Sequence, residues 1–324
     1  MIQAQSAQNG NQNTPMELDT IEFTISKAGK RLDKILVEQL PDLSRSQIQS
    51  MISEGQVTVD GQSAKAGHKM KGGERVVVQI PTYDEATIEP EDIPLKVIYE
   101  DDDIVVIEKS ADMVVHPGIG QDSGTLVNAL LFRYPQMIDM QDDPRAEGRM
   151  GIVHRLDKDT SGLMVTAKHI NALEHLMAQF KARTVEKYYL ALLERPPKTA
   201  SGTIDAPISR DPKQRKRMGV VRDGKPAITE YEVIDETFRD GRCLVKIQIH
   251  TGRTHQIRVH MAFIGCPIVG DTVYGFGKQR IGLKRNFLHA CELAFDHPTT
   301  GERMNFSSEL PIGLRDVMEK LREK

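Results

Sequence analysis

The sequence predicts an α+β protein: a larger C-terminal domain on a mostly antiparallel mixed sheet with flanking helices, preceded by a smaller α+β module. Three observations predict it. Strand-like and amphipathic helical runs interleave through residues 95–324 without the regular spacing of βαβ units. The glycines are scattered and form neither a phosphate loop nor a dinucleotide fingerprint. The stretch Pro81 to Pro94, rich in proline and acidic residues, reads as an extended linker between two parts that each carry their own element signals. A chain of 324 residues, 39% hydrophobic and 27% charged, is long enough for two soluble domains.

Taken in order, residues 1–18 form a Gln/Asn/Ser-rich tail with no basic start or apolar run, hence a disordered extension and not a secretion signal. Residues 19–80 form the small module. Leu32, Ile35, Leu36 and Leu40 lie on one face of a helix from Arg31 to Leu40. A second helix starts with Ser44 or Ser46 as its cap, buries Ile48, Met51 and Ile52, and stops at Gly55. Val57 to Val59 is a strand running into an Asp60-Gly61 turn, and Val76 to Ile80 is another. After the linker at 81–94, the domain at 95–324 carries a buried-type strand at Ile104 to Glu108 and a helix at Thr125 to Tyr134. Leu163 to Ala167 reads as a strand, and Ile170, Leu173, Leu176, Met177 and Phe180 mark an amphipathic helix. Further strands follow at Tyr188 to Leu193, Ile228 to Ile234 and Leu244 to Ile249.

The charge of −3 is no global nucleic-acid signature, but the charges are segregated. Arg210, Lys213, Arg215, Lys216, Arg217, Arg222 and Lys225 outnumber Asp211 and Asp223, whereas residues 84–103 are acidic. No run approaches the roughly 18 apolar residues of a membrane span. Cys243, Cys266 and Cys291 are odd in number and lack metal spacing, so a reducing cytoplasm is expected. His250, His255 and His260 recur every five residues, a spacing that points consecutive rings apart on helix or strand, so no metal site is expected.

The most informative segment is His154-Arg155-Leu156-Asp157-Lys158-Asp159-Thr160-Ser161-Gly162-Leu163-Met164. An apolar lead-in, a polar loop among cations and a turn before a strand describe a reactive side chain presented by a rigid sheet. A solvent-exposed aspartate is ionised at neutral pH and needs no base to act as a nucleophile. Asp159 is the nearest second carboxylate, but two residues away it has no independent geometry for an acid across a sugar.

This eleven-residue segment resembles the signature of the RluA-type pseudouridine synthases, enzymes that isomerise uridine in RNA, and the resemblance extends over nearly everything from residue 20. It implies that Asp157 is the catalytic nucleophile and that no cofactor is needed. Arg155 is then expected where the target base leaves the RNA helix, a planar cation replacing the lost stack, with His154 beside it. Its alternative is an ion pair with Asp157 or Asp159. Lys187-Tyr188-Tyr189 matches the family's Lys-any-Tyr pattern and selects Tyr189 to hold the base; strand alternation sends Tyr188 to the other side. Thr251-Gly252-Arg253-Thr254-His255-Gln256-Ile257-Arg258 supplies Arg258 to orient Asp157, with Arg253 as runner-up. Leu288 corresponds to an apolar residue beside the base. Arg215, Lys216 and Arg217 form a basic hairpin or loop against phosphates. The small module resembles the S-four RNA-binding domain, which implies RNA contacts from Lys27, Arg31 and Arg45. Two departures stand out: Lys109-Ser110-Ala111-Asp112 replaces the family's Lys-Pro-Ala-Gly, and His250 stands where an acidic residue commonly precedes Thr-Gly-Arg.

The expected partner is structured RNA, with ribosomal RNA first, free or within pre-ribosomal particles, and transfer RNA second; a monomer is the default. Two other classes compete. A non-catalytic RNA-binding protein would not need Asp157, a motif tyrosine and Arg258 together. A glycosidase acting on free sugars would need an acid partner for Asp157, and sugar-stacking rings are sparse, with aromatic residues at 5% and no Trp.

Overall fold

The computed structural model describes residues 18–25, 28–40, 45–81, 88–118, 121, 123–212, 214, 217–238, 240–276 and 281–323. Lys27, Arg215 and Lys216, the tail to residue 17 and residues 82–87 of the expected linker lie outside the described residues; of Arg45, only the backbone is described. The chain divides into two compact units, Met1–Thr87 and Ile88–Lys324.

The first unit contains β1 (Leu18–Thr24), α1 (Leu32–Gln39), α2 (Arg45–Ser53), β2 (Val57–Val59), β3 (Gln62–Ser63) and β4 (Arg75–Pro81). Its antiparallel sheet runs β1-β4-β2-β3. Leu32, Leu36, Ile48 and Ile52 from the two helices meet Val57, Val76 and Val78 from the sheet in one core. Asp60 and Gly61 both take positive φ, 50° and 76°, which a two-residue hairpin turn with the strands' twist requires. β1 was not expected; its seven-residue register with β4 gives it partners that its own sequence does not announce. Arg31 spends two of its donors on the buried Asp33, each at 2.9 Å, so its expected role as a phosphate contact shares the side chain with a structural ion pair.

The second unit contains β5 (Lys96–Glu100), β6 (Ile104–Lys109), α3 (Leu126–Arg133), β7 (Ser161–Ala167), α4 (Ile170–Ala182), β8 (Glu186–Leu193), β9 (Ser201–Asp205), β10 (Ile208–Arg210), β11 (Met218–Val220), β12 (Ile228–Asp235), β13 (Cys243–Ile249), α5 (Gln256–Phe263), β14 (Leu288–Asp296), β15 (Arg303–Ser307) and α6 (Ile312–Glu323). Among the described residues its sheet has nine strands in the order β5-β6-β7-β14-β8-β13-β12-β9, with β15 on β14. All its pairings are antiparallel except β7 with β14. That parallel pair explains one glycine: at Gly162 φ is +126° and a Cβ would lie 2.2 Å from the Ala290 carbonyl oxygen. Arg210 and Met218, which flank the expected basic run, pair in a separate hairpin, β10–β11.

The boundary between the units lies within the expected linker, and its second half is not a free spacer. Ile88 packs on the larger core, the Glu89 carbonyl accepts Asn128 Nδ2 at 2.7 Å, and Glu91 Oε1 accepts the Gly124 N–H at 2.8 Å. Proline and like charge predicted extension, and these residues are indeed not helical or sheet. Their carbonyls and carboxylates nevertheless satisfy donors at the start of α3, which composition does not reveal.

Candidate active site

Asp157 lies in the loop that enters β7, and three anchors fix that loop. Ile152 bridges Thr166 on β7. The Val165 N–H donates to His154 Nε2 at 3.1 Å. Lys109, 1% exposed at the end of β6, donates to the carbonyls of Ser110, Met113 and Lys158 at 2.7, 2.8 and 3.1 Å. Burial lowers the Lys109 pKa to about 8, yet the three carbonyls hold its ammonium beside the residue that follows Asp157.

Arg258 reaches Asp157 from α5. The lead-in Thr251-Gly252-Arg253 is folded around Gln256, whose Oε1 accepts from Thr251 Oγ1 at 2.8 Å and from the Arg253 N–H at 3.0 Å. Gln256 Nε2 donates to the Ile228 carbonyl and Thr229 Oγ1, both at 3.0 Å, tying the start of α5 to β12. Two residues on, Arg258 Nη1 donates to Asp157 Oδ2 at 3.1 Å. Its other edge forms a fork with Asp271, Nε to Oδ2 at 2.6 Å and Nη2 to Oδ1 at 3.0 Å. Burial works against the charge of Asp271, but Arg258 and the N–H groups of Tyr274 and Val273 keep its carboxyl below the usual range. Burial likewise opposes the Arg258 charge, while Asp271 and then Asp157 hold it above the usual arginine value. Arg253, the alternative, instead donates to the Pro226 carbonyl at 3.0 Å.

Among the described residues, the polar contacts of the Asp157 carboxylate fall on Oδ2, which also lies 3.9 Å from His255 Nε2. Oδ1 accepts no hydrogen bond among the described residues. Asp157 thus presents one anchored and one unengaged oxygen to a cavity of about 620 Å³, within the roughly 300–1,000 Å³ of small-molecule sites. Tyr189 and Leu288 line the same cavity. On β8, residues 187, 189 and 191 share a face, and Leu288 at the start of β14 stands opposite Ala191, which places it diagonally beside Tyr189. Burial, reinforced by the Asp157 charge, pushes the Tyr189 phenol well above its ordinary value, so it stays a donor; its hydroxyl has no protein partner among the described residues. Tyr188 leaves for the opposite face, where Lys246 Nζ sits 4.6 Å from its ring centroid.

Arg155 also lines the cavity, exposed, and forms no ion pair with Asp157 or Asp159. His154 lines it too, but its Nε2 is committed to β7 and its ring stacks on Phe180 at 4.8 Å. Burial, then the Lys187 ammonium, lowers the His154 pKa to about 3, so it offers a neutral edge and no charge to a phosphate. The three spaced histidines part company: His250 lines the cavity 3.0 Å from Glu230, His255 faces Asp157, and His260 is buried on Thr229 Oγ1 and the Ala206 carbonyl, each at 2.9 Å. Arg217 places its guanidinium 4.9 Å from the Tyr274 ring centroid. Lys109, His255, Asp271 and Tyr274 lie in segments of the family resemblance, but motif reading gave them no role in the site. Their signals were present, a lysine ending a buried strand and the Gly270-Asp271 and Tyr274-Gly275 pairs, but their partners are distant in sequence.

The two departures have local explanations. Asp112 adopts φ +68°, a left-handed conformation that glycine reaches freely and aspartate tolerates, so the loop forms without the family's glycine. At His250 the missing acidic residue has a counterpart in Glu230 from the neighbouring strand β12.

An aspartate held by a buried arginine thus faces a cavity that Tyr189 and Leu288 line, on a mostly antiparallel sheet. Residues 103–263 match the RNA pseudouridylate synthase family, and residues 30–76 match the S-four domain. An uncharacterized RNA pseudouridine synthase of Aquifex aeolicus is 44% identical over 94% of this chain and 98% of its own length. The ribosomal large subunit pseudouridine synthase D of Xanthomonas campestris is 44% identical over 92% of this chain and 91% of its own, and that of Escherichia coli is 44% identical over 94% of each. The solved human RNA pseudouridylate synthase domain containing 1 superposes with a TM-score of 0.54 at 27% identity, over 72% of this chain and 97% of that one. The chain belongs to the RNA pseudouridylate synthase family and joins that catalytic domain to an S-four RNA-binding domain.

Proposed function

We propose that this enzyme converts specific uridines of large-subunit ribosomal RNA to pseudouridine, with Asp157 as nucleophile and the target base flipped into the cavity. The observation that carries the proposal is the Asp157 carboxylate, held through one oxygen by Arg258 and open through the other to a space bordered by Tyr189 and Leu288. A cavity of about 620 Å³ accepts a nucleotide and not a duplex, so a paired or stacked uridine has to leave its helix to react. Arg155, exposed and unpaired at the rim, is suited to occupy the gap the base leaves. Asp157 attacks the uridine, the bond from nitrogen one to ribose breaks, and the uracil turns and rejoins ribose through carbon five as the bond to Asp157 breaks and frees the carboxylate. The proton on carbon five is lost and nitrogen one gains one, so atoms balance without a cofactor. Tyr189 packs on and donates to the base. Ribosomal RNA ranks ahead of transfer RNA because curated relatives 43–44% identical are named for the large ribosomal subunit. The buried thiols of Cys243, Cys266 and Cys291 fit a cytoplasmic setting.

The test is position-resolved pseudouridine mapping of ribosomal and transfer RNA from cells lacking the protein, rescued with wild type or with Asp157→Ala. Ribosomal sites that vanish and return with wild type alone are the expected result. Sites confined to transfer RNA would replace the substrate, and full rescue by Asp157→Ala would remove the nucleophile.

A further inference from the structure

The β10–β11 hairpin touches the main core through Val220 and otherwise builds a small core of its own, in which Ile208, Ala227, Val259 and Tyr274 are buried with Met218, Val220 and Ala262 against them. Val259 and Ala262 belong to α5, the helix that carries Arg258. The hairpin and the arginine that anchors Asp157 therefore meet through one packing unit, and Tyr274 is at its centre.

Tyr274 is 8% exposed, and its contacts run in both directions. Toward the hairpin, its hydroxyl accepts the Met218 N–H at 2.9 Å, and the Arg217 guanidinium lies 4.9 Å from its ring centroid. Toward the active site, the Arg258 guanidinium lies 5.1 Å from the same centroid, His255 meets the ring edge-on at 5.7 Å and 74°, and His255 Nδ1 is 2.9 Å from the hydroxyl. A hydroxyl that accepts from Met218 satisfies itself best by donating its own hydrogen to His255 Nδ1. The imidazole hydrogen then sits on Nε2, the atom 3.9 Å from Asp157 Oδ2. Two guanidiniums share one ring, so neutralising Arg217 with a phosphate changes the field felt by Arg258.

We propose that Tyr274 is a positioning residue that couples the seating of the β10–β11 hairpin on RNA to the geometry of the Asp157 carboxylate, through Arg258 and His255. The proposal rests on the reading of Asp157 and of the basic hairpin given above. It goes beyond that reading in assigning a device that makes the reaction respond to hairpin engagement: a phosphate that neutralises Arg217 acts through the shared Tyr274 ring and the Met218–Tyr274–His255 chain on the hold over the carboxylate.

The experiment is single-turnover kinetics with a structured uridine-containing RNA, on wild type, Tyr274→Phe, Arg217→Gln, the double variant and Asp157→Ala. Phenylalanine keeps the ring and removes the hydroxyl. Small misplacements of reacting groups are costly, so Tyr274→Phe is expected to slow the saturated step by about tenfold to 100-fold. It removes no phosphate contact, so affinity stays within about threefold of wild type. Arg217→Gln is expected to weaken binding and slow the saturated step in the wild-type background, and to weaken binding alone when the hydroxyl is absent. Imidazole nitrogen-15 shifts of His255 should report an Nε2–H tautomer in wild type and a mixture in Tyr274→Phe. An unchanged saturated rate in Tyr274→Phe, or rate losses that multiply in the double variant, overturns the coupling. If Tyr274→Phe does not fold, Arg217→Gln alone decides: it must slow the saturated step as well as binding. Turnover by Asp157→Ala would instead overturn the reading of the nucleophile.

Discussion

At the scale of single residues, Arg258 holds the tightest constraint in the site. It is 7% exposed and its two edges serve two carboxylates, the buried Asp271 and the proposed nucleophile Asp157. A lysine is a point charge and cannot make the fork to Asp271 while also reaching Asp157. Arg258→Lys is therefore expected to lower the saturated rate by more than about 100-fold through misplacement of the carboxylate, with RNA affinity little changed. Arg258→Met is expected to do something different as well: it strands Asp271 without its cation, a defect that costs roughly 3–5 kcal/mol for a broken buried pair. Denaturant unfolding together with single-turnover rates separates the two. A lysine variant of normal rate, or a methionine variant of normal stability, would show that the fork is not what holds Asp157. The residue-level site was legible where chemistry is spelled out in adjacent letters: Asp157, Tyr189 and Arg258 sit inside contiguous motifs. Asp271 and Tyr274 escaped because what they do depends on a helix and a hairpin that precede them in the chain and reach them only through the fold.

At the scale of elements, the loop that carries Asp157 is precise because it is tied to the centre of a sheet. β7 is buried along its whole length and lies between β6 and β14. The step from loop to strand passes through Gly162, where the parallel neighbour β14 approaches closely enough that its Ala290 backbone occupies the space of a Cβ. Gly162→Ala is expected to destabilise the larger unit by about 3 kcal/mol or more, since backbone cannot retreat as a flexible side chain would and the φ of +126° adds strain. Calorimetry should show the larger unit melting earlier while the smaller one is unmoved; an unchanged transition would mean that β7 and β14 can part without cost. The same strand pair shows why elements differed in legibility. Self-contained patterns such as α1, α4, β6, β7 and β8 follow from their own apolar spacing. β1, β5, β9, β14 and β15 take their structure from sheet neighbours, and α5 is built by Gln256 reaching back to β12, so no local period announces it.

At the scale of the whole molecule, two units with separate cores should respond differently to acid. The larger unit buries several imidazoles. Burial lowers the pKa of His289 to about 4 and that of His154 to about 3, and it depresses His116, His255 and His260 in the same direction. The smaller unit has His68 as its one histidine, and that residue is exposed. A folded-state pKa below the unfolded value means that the unfolded chain binds more protons between the two, so stability rises with pH across that interval. The histidine contribution is thus complete above pH 6.5 and is lost as pH falls toward about 4. Asp101, Glu108 and Asp271, whose pKa values are held low, add their own losses only below the ordinary carboxylate range. Between pH 6.5 and 5 the imidazoles therefore act alone, and a chain with two cores need not unfold in one step. Scanning calorimetry from pH 7 to 5 should move the transition of the larger unit downward while that of the smaller unit stays nearly fixed. His289→Gln keeps hydrogen-bonding capacity between Ser161 and Ser308 without a titrating ring, and should flatten the slope of the larger transition. Parallel movement of both transitions, or an unaltered slope in that variant, would place the acid response outside the buried imidazoles. The consequence for function follows from the same geometry: His154 accepts the Val165 N–H and His289 pairs with Ser161, so protonating these buried rings loosens the strand that follows the Asp157 loop.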